Sequence, residues 1–384
     1  MKAEIAYPRL LAAVRAISRY TTTRAPLLHL HSRADTLTLA AGAAEHTAEV
    51  DLPGAGGDGR CAAPAGTLLK ALTAAKPAGR PSTAATVSMR AKPGRLTLSV
   101  TRGPSGPLSL SIDTRTPSPP EAPLPAELAA VVAAGPVPAW CQLVGGVAWA
   151  AGQQRTQPAL AVVRLLREPG AVLRVEATDS HRIHRGIWGE PAATAVDAMI
   201  PVTAAAQAIG MLTGCDPAGQ LAVYADPDRV LWQTSRVRIS APTRPGPYPN
   251  LEAIREQLLA DATVSFTVDR AATLAAVQVA ARLATATGGL VGIDPHPGDG
   301  LAEVTVDGQA AAPTWQAQIG LGAAAGPVYP LRFNPRYIRQ AFAFLTGPSV
   351  SIAAVTGRRA VLLHSGDRHA IVMQRGPAAT GQAA

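Results

Sequence analysis

Residues 333–347 read FNPRYIRQAFAFLTG, and two earlier stretches follow the same pattern: APAGTLLKALTAAKP at 63–77 and IPVTAAAQAIGMLTG at 200–214. Counted from Pro64, Pro201 and Asn334, the positions at +4, +8 and +11 are Leu68, Leu72 and Ala75, then Ala205, Ile209 and Leu212, then Ile338, Phe342 and Leu345. That spacing lays an apolar stripe along one face of a helix. The starts lie 137 residues apart (201 − 64) and then 133 (334 − 201). Each predicted helix is followed by alternating, strand-like runs: ATVSMRAKPGRLTLSV from Ala85, QLAVYADPDRVLWQT from Gln220 and SVSIAAVTGRRAVLLHS from Ser349. A repeat of domain size predicts three similar domains in a row rather than a solenoid.

The bulk properties agree. A chain of 384 residues is too long for one core, and a third of it is an ordinary domain length. No apolar run reaches the roughly 18 residues needed to span a bilayer, and the opening MKAEIAYPRLLAAV lacks a signal peptide's apolar centre and cleavage site. Cys61, Cys141 and Cys215 are odd in number and without C-x-x-C spacing, which predicts a reduced, cytoplasmic protein with neither disulfides nor a zinc site. Lys and Arg exceed Asp and Glu by nine (35 − 26), spread through the folded segments and not gathered into a basic tail. That excess favours an anionic partner, nucleic acid above all.

Residues 114–127, TRTPSPPEAPLPAE, hold five prolines and read as an extended connector; residues 241–254, APTRPGPYPNLEAI, hold four and precede the third repeat. The expected domains are 1–120, 127–243 and 253–375, with a small polar tail at 376–384 that reads as disordered. A first helix is expected in each at about 7–18, 143–151 and 269–284, with Leu10, Leu11, Val14 and Ile17 inward in the first and Leu274, Val277 and Ala281 in the third. Two helices per repeat against antiparallel sheets make an α+β architecture.

Three further stretches carry a resemblance. LRVEATDSHRIHRG at 173–186, YPNLEAI at 248–254 and LRFNPRYIRQAFAFLTG at 331–347 are similar, in order and spacing, to patterns of the bacterial DNA sliding clamp, the beta subunit of DNA polymerase III. The resemblance covers residues 1–375. It implies a homodimeric ring of similar domains, helices lining a central hole and antiparallel sheets outside. Such a ring encloses double-stranded DNA and acts as a processivity factor in DNA replication, a non-catalytic and nucleoid-associated accessory subunit without cofactors or membrane attachment. Enclosure requires no base reading, only favourable contacts with phosphate. Arg15 and Arg19, Lys70 and Lys76, and Arg336 and Arg339 supply basic side chains around the helices, while Arg24 and Gln154 match family positions that touch DNA. The middle repeat is poorer in charge.

The resemblance also implies a cleft that takes linear peptide motifs of the polymerase and the clamp loader. Its walls map onto Leu160, Thr178, Ser180, His181, Arg182, Ile183, Pro249, Ile254 and Met373. An apolar concavity with a few polar groups is what a motif with hydrophobic anchors needs. A metal site built on Asp179, His181 and His184 is the competing chemistry, but an H-x-x-H pair on a strand or turn does not converge as it does on a helix, and no third ligand is evident. At the subunit junction, Leu108 and Leu110 of PLSLSI match a domain-one edge strand and Leu283 the facing third-domain surface. No Gly-rich phosphate loop, G-x-S-x-G elbow or carboxylate cluster points to an enzyme.

This chain departs from the family pattern at Ser180, where Gly is usual, at Ile183, where Leu is usual, and after Met373, where Gln374-Arg375-Gly376-Pro377 replaces the usual Met-Pro-x-Arg-Leu ending. These changes leave a second function open: a clamp-like paralogue serving as a specialised or decoy interaction module.

Overall fold

The computed structural model describes residues 1–21, 26–43, 46–76, 85–101, 107–115, 120–121, 131–153, 155–307 and 313–375. Seven α-helices occur among them: α1 (Tyr7–Ile17), α2 (Ala65–Ala74), α3 (Val137–Ala148), α4 (Val202–Cys215), α5 (Leu251–Ala260), α6 (Arg270–Thr287) and α7 (Pro335–Phe344). All the strand pairings described are antiparallel, which makes the chain α+β. The expected tail at 376–384 lies outside the described residues.

The three repeat helices are α2, α4 and α7, each followed by the expected hairpin: Thr86–Lys92 with Arg95–Val100, Gln220–Ala225 with Arg229–Gln233, and Ser349–Ala354 with Ala360–Ser365. In α2 and α7 the predicted stripe is fully inward, at Leu68, Leu72 and Ala75 and at Ile338, Phe342 and Leu345. In α4 Ala205 and Leu212 are buried, but Ile209 is only half-buried and Ala208 takes the inward place.

Helix starts follow local chemistry. Asn334 caps α7 by accepting from the amides of Arg336 and Tyr337 at 3.0 and 3.3 Å, and Pro335 fits a first turn whose N–H has no helical partner. Asp269 caps α6 through the Ala272 amide at 2.7 Å, and Gly288 closes it in the left-handed conformation (φ 69°). Helix α3 corrects the sequence reading: it starts at Val137, six residues before the expected 143. Pro138 is tolerated in a first turn, and buried Val137, Trp140, Leu143, Val144 and Val147 form its apolar face. Helix α5 begins within the 241–254 stretch that reads as a linker and runs on to Ala260; Asn250 caps it through the Ala253 amide at 3.1 Å.

Contacts gather the chain into two units, to both of which the expected middle domain contributes. Unit 1 is Met1–Gln142, Arg167–Ala171 and Pro191–Pro245. It holds a five-stranded sheet in the order Ala55–Gly57, Lys2–Ala6, Thr86–Lys92, Arg95–Val100, Leu108–Asp113, and an eight-stranded sheet from Val131–Pro136 to Gly59–Pro64. The eight-stranded sheet runs from one repeat into the next where Val237–Pro242 pairs with His46–Pro53, with Ile239 opposite Ala48, and an ion pair of Arg238 with Glu49 at 3.1 Å lies across the seam. Helices α1 and α4 pack side by side; a Cβ on Gly210 would lie 2.8 Å from a guanidinium nitrogen of Arg19, just after α1, and one on Gly214 would make an ordinary contact with Ala16 at 3.9 Å.

Unit 2 is Leu143–Leu166, Val172–Glu190 and Gly246–Ala384. Here Arg182–Ala192 pairs with Arg368–Met373, placing Arg182 opposite Val372 and Ile183 opposite Ile371. Helices α6 and α7 bury Val277, Ala280, Ile338 and Phe342 against Phe266, Ile293 and Phe333.

Candidate functional site

The 178–183 turn between strands Ala171–Thr178 and Arg182–Ala192 is held by a dense set of hydrogen bonds. Asp179 Oδ1 accepts from the amides of His181 and Arg182 at 3.0 and 3.1 Å, and the Thr178 hydroxyl donates to the Arg182 carbonyl at 2.8 Å. Ser180 sits in the left-handed region at φ 67°, which explains why a glycine suits this position in the pattern it resembles. The serine is retained by local bonds: its amide donates to Thr178 Oγ1 at 3.1 Å, its hydroxyl donates to the Asp179 carbonyl at 2.5 Å, and Gln157 Nε2 donates to its Oγ at 3.1 Å. The Met373 amide then donates to the His181 carbonyl at 2.9 Å, extending the sheet up to the turn.

Beside this turn lies a cleft of about 320 Å³, entirely within unit 2. All nine residues expected to line a peptide site border it: Leu160, Thr178, Ser180, His181, Arg182, Ile183, Pro249, Ile254 and Met373. Leu251, Ala360 and Ile371 complete its walls. The first comes from α5; the other two face Ile183 and Met373 across the sheet, Ile371 opposite Ile183 and Ala360 opposite Met373. Of the three, only Ile371 carries a sequence signal beside Met373, two residues away on the same face of the strand Arg368–Met373.

Helix α5 is pinned beside the cleft by a charge network. Glu252 in its first turn, where the helix dipole favours an anion, pairs with Arg185, with Arg174 at 3.5 Å and with Arg255. Burial pushes the Glu252 carboxyl up, but hydrogen bonds and charge from Arg255 and Arg185 outweigh it and hold the group below the usual range. Deeper in, Glu176 is almost fully buried; burial raises its carboxyl, opposed by Arg164 at 3.5 Å. The Arg164 guanidinium in turn lies 5.4 Å from the centre of the Tyr248 ring.

The residues weighed as metal ligands part company. His184 is fully buried, its Nδ1 2.7 Å from the Gly146 carbonyl oxygen and its ring stacked on Phe344 with centroids 4.8 Å apart. Burial drives its pKa down to about 3. His181 is exposed at the cleft, and Asp179 is engaged with the turn and with Arg182. His184 is a packed core histidine.

A second concavity, of about 600 Å³, lies between α6 and α7 and is lined by Gln278, Ala281, Arg282, Thr285, Arg336 and Arg339. Arg336 and Arg339 were expected in a basic surface; Arg282 was not. Its signal was legible as a polar stripe, Gln278, Arg282 and Thr285 at i, i+4 and i+7 of α6. Three guanidiniums around one hollow suit a phosphate backbone. In unit 1, Arg15 is exposed on α1, Arg19 on the short 3₁₀ turn after it, Lys70 on α2 and Lys76 just beyond it. Arg24 and Gln154 lie outside the described residues. Leu108 and Leu110 are half-buried on the outermost strand of the five-stranded sheet, and Leu283 is 40% exposed on α6.

No protein-family model matches the sequence, and no curated protein sequence matches it. Solved structures do match, over nearly the whole chain. The DNA polymerase sliding clamp from Bacillus subtilis superposes with a TM-score of 0.79 at 17% identity, covering 98% of this chain and 99% of that one. The DnaN sliding clamp from Pseudomonas aeruginosa, bound to griselimycin, gives 0.78 at 16% identity and covers 98% and 99%. The beta subunit of DNA polymerase from Streptococcus pyogenes gives 0.78 at 14%, covering 98% and 100%. The fold is that of the bacterial sliding clamps.

Proposed function

We propose that this protein is a DNA sliding clamp: a non-catalytic, ring-forming homodimer of three-domain subunits that encircles duplex DNA and tethers a polymerase and a clamp loader through peptide motifs. The observation that carries the reading is the cleft. Nine residues drawn from two separate stretches and from the isolated Leu160 and Met373 border a single, largely apolar hollow, in a chain of which 98% matches the clamp fold. An apolar anchor buried there contributes roughly 1.5 to 3 kcal/mol, so two anchors bring a short peptide within reach of the about −8 kcal/mol of a micromolar complex once polar contacts are added. The basic hollow of Arg282, Arg336 and Arg339 and the exposed Arg15, Arg19, Lys70 and Lys76 are assigned to phosphate contacts; Arg24 and Gln154 keep the same assignment from sequence alone.

A second reading rests on Ser180 and on the residues after Met373. Ser180 borders the cleft, the altered ending follows directly on the cleft residue Met373, and both depart from the clamp pattern, as expected of a specialised copy with shifted partner preference. Calorimetric titration with a Gln-x-x-Leu-x-Phe peptide decides between the two. Binding that is abolished by Met373→Asp supports the tether; tight binding untouched by that change places the peptide elsewhere and refutes the site. No binding at millimolar peptide favours the specialised module.

A further inference from the structure

Arg182 is a cleft residue whose guanidinium is held from outside the cleft. It is 4% exposed. Its Nε donates to Asp179 Oδ2 at 3.0 Å, its Nη1 donates to Gln340 Oε1, and its carbon lies 4.2 Å from the centre of the Tyr337 ring. Gln340 and Tyr337 belong to α7, the helix that also carries Arg336 and Arg339 of the basic hollow.

Gln340 is unusual for its place. It stands six residues after the start of its repeat, and the matching positions are Lys70 and Gln207. Lys70 is exposed and Gln207 half-buried, whereas Gln340 is 8% exposed. A polar side chain off the apolar stripe is buried only where something satisfies it, and here the partner is Arg182. Of the guanidinium donors, Nε and Nη1 are thereby committed, while Nη2 makes no hydrogen bond among the described residues.

We propose that Gln340 is a positioning residue for the cleft: by fixing Nη1 of Arg182 from α7, it turns the free Nη2 donors toward a bound peptide. The inference rests on the peptide-binding reading above and deepens it. Asp179 alone holds one edge of the guanidinium; a planar fork needs a second fixed point to be oriented, and ligand-contacting groups are set by such neighbours.

The test compares wild type with Gln340→Leu, which keeps volume and removes the acceptor, and with Gln340→Glu, which keeps an acceptor at the same reach. Affinity for a Gln-x-x-Leu-x-Phe peptide should fall on the order of tenfold in Gln340→Leu, because an oriented donor is lost, and should return to near wild type in Gln340→Glu. A residue that merely packs would give no such rescue. Unchanged affinity in Gln340→Leu, or Gln340→Glu as weak as Gln340→Leu, overturns the proposal. The ¹⁵Nε–H signal of Arg182, assigned by comparison with Arg182→Lys, separates this from failure of the peptide reading itself. If wild type binds no peptide, that reading fails, and the inference is judged on the signal alone. A slowly exchanging Nε–H in wild type and Gln340→Glu that broadens in Gln340→Leu supports it, and a signal indifferent to Gln340→Leu refutes it.

Discussion

Ile254 separates affinity from stability at the cleft. It projects from α5, lines the hollow and is 39% exposed in the free protein. A peptide covering it removes that remaining fraction from water. Full burial of an isoleucine is worth about 1.5–3 kcal/mol, so 0.39 of it contributes about 0.6–1.2 kcal/mol. At about 1.4 kcal/mol per decade, Ile254→Ala should weaken a Gln-x-x-Leu-x-Phe peptide about three- to sevenfold, with the thermal midpoint essentially unmoved. Ile183, on the opposite wall, is 8% exposed and packs with Leu251, Leu258, Leu362 and Ile371. Ile183→Ala should instead cost about 2–5 kcal/mol of stability through cavity formation. The assay is titration calorimetry beside urea unfolding of both variants. Ile254→Ala binding as tightly as wild type would mean that the peptide does not cover α5, and the cleft argument would fall.

Other outcomes follow from buried charge and exposed edges. His184 has a folded pKa of about 3, below the ordinary 6.5, so the unfolded chain takes up the proton first. The stability this histidine supports is intact above pH 6.5 and drains away as pH falls toward 3. Between pH 7.5 and 5.5 wild type should lose about 1.4 kcal/mol more than His184→Gln in urea unfolding, and equal losses would contradict the buried, neutral ring. Glu252→Gln removes the partner of Arg185, whose side chain is only 10% exposed, and should cost about 3 kcal/mol while loosening α5 and weakening the peptide; a neutral result would mean that the network does not anchor the helix. The strand Leu108–Asp113, at the edge of its sheet among the described residues, is expected to pair with a second copy, so light scattering at micromolar concentration should give a dimer that Leu110→Asp converts to monomer. A wild-type monomer would count against the ring.

The parts legible in the sequence were those governed by periodicity. The stripes at Leu68, Leu72 and Ala75 and at Ile338, Phe342 and Leu345 are helical spacing made visible, and the hairpins after them are alternation. The α4 stripe was half misread because an alanine-rich helix offers several equivalent inward faces, and Ala208 sits closer to the core than Ile209. Helix α5 was hidden by the four prolines before it, although its Asn250 cap and Glu252 were in plain view. The first turn of α3 was hidden by Pro138, which marks a start rather than a break. Of the cleft, the residues within 173–186 and 248–254, with Leu160 and Met373, were legible through the resemblance, whereas Ala360 required the register of the closing hairpin and Ile371 the pairing with Ile183 on a strand far away in sequence. Gln340 was beyond reach: nothing in FNPRYIRQAFAFLTG says that its glutamine meets an arginine 158 residues earlier.

The central claim is topological, and retention on DNA tests it most directly. Protein loaded onto nicked circular duplex by a clamp loader and ATP should remain bound through a high-salt wash, which strips ordinary phosphate contacts, and should be lost when the same circle is cut once by a restriction enzyme. Equal retention on circle and linear DNA, or equal loss from both, would contradict a ring around the duplex.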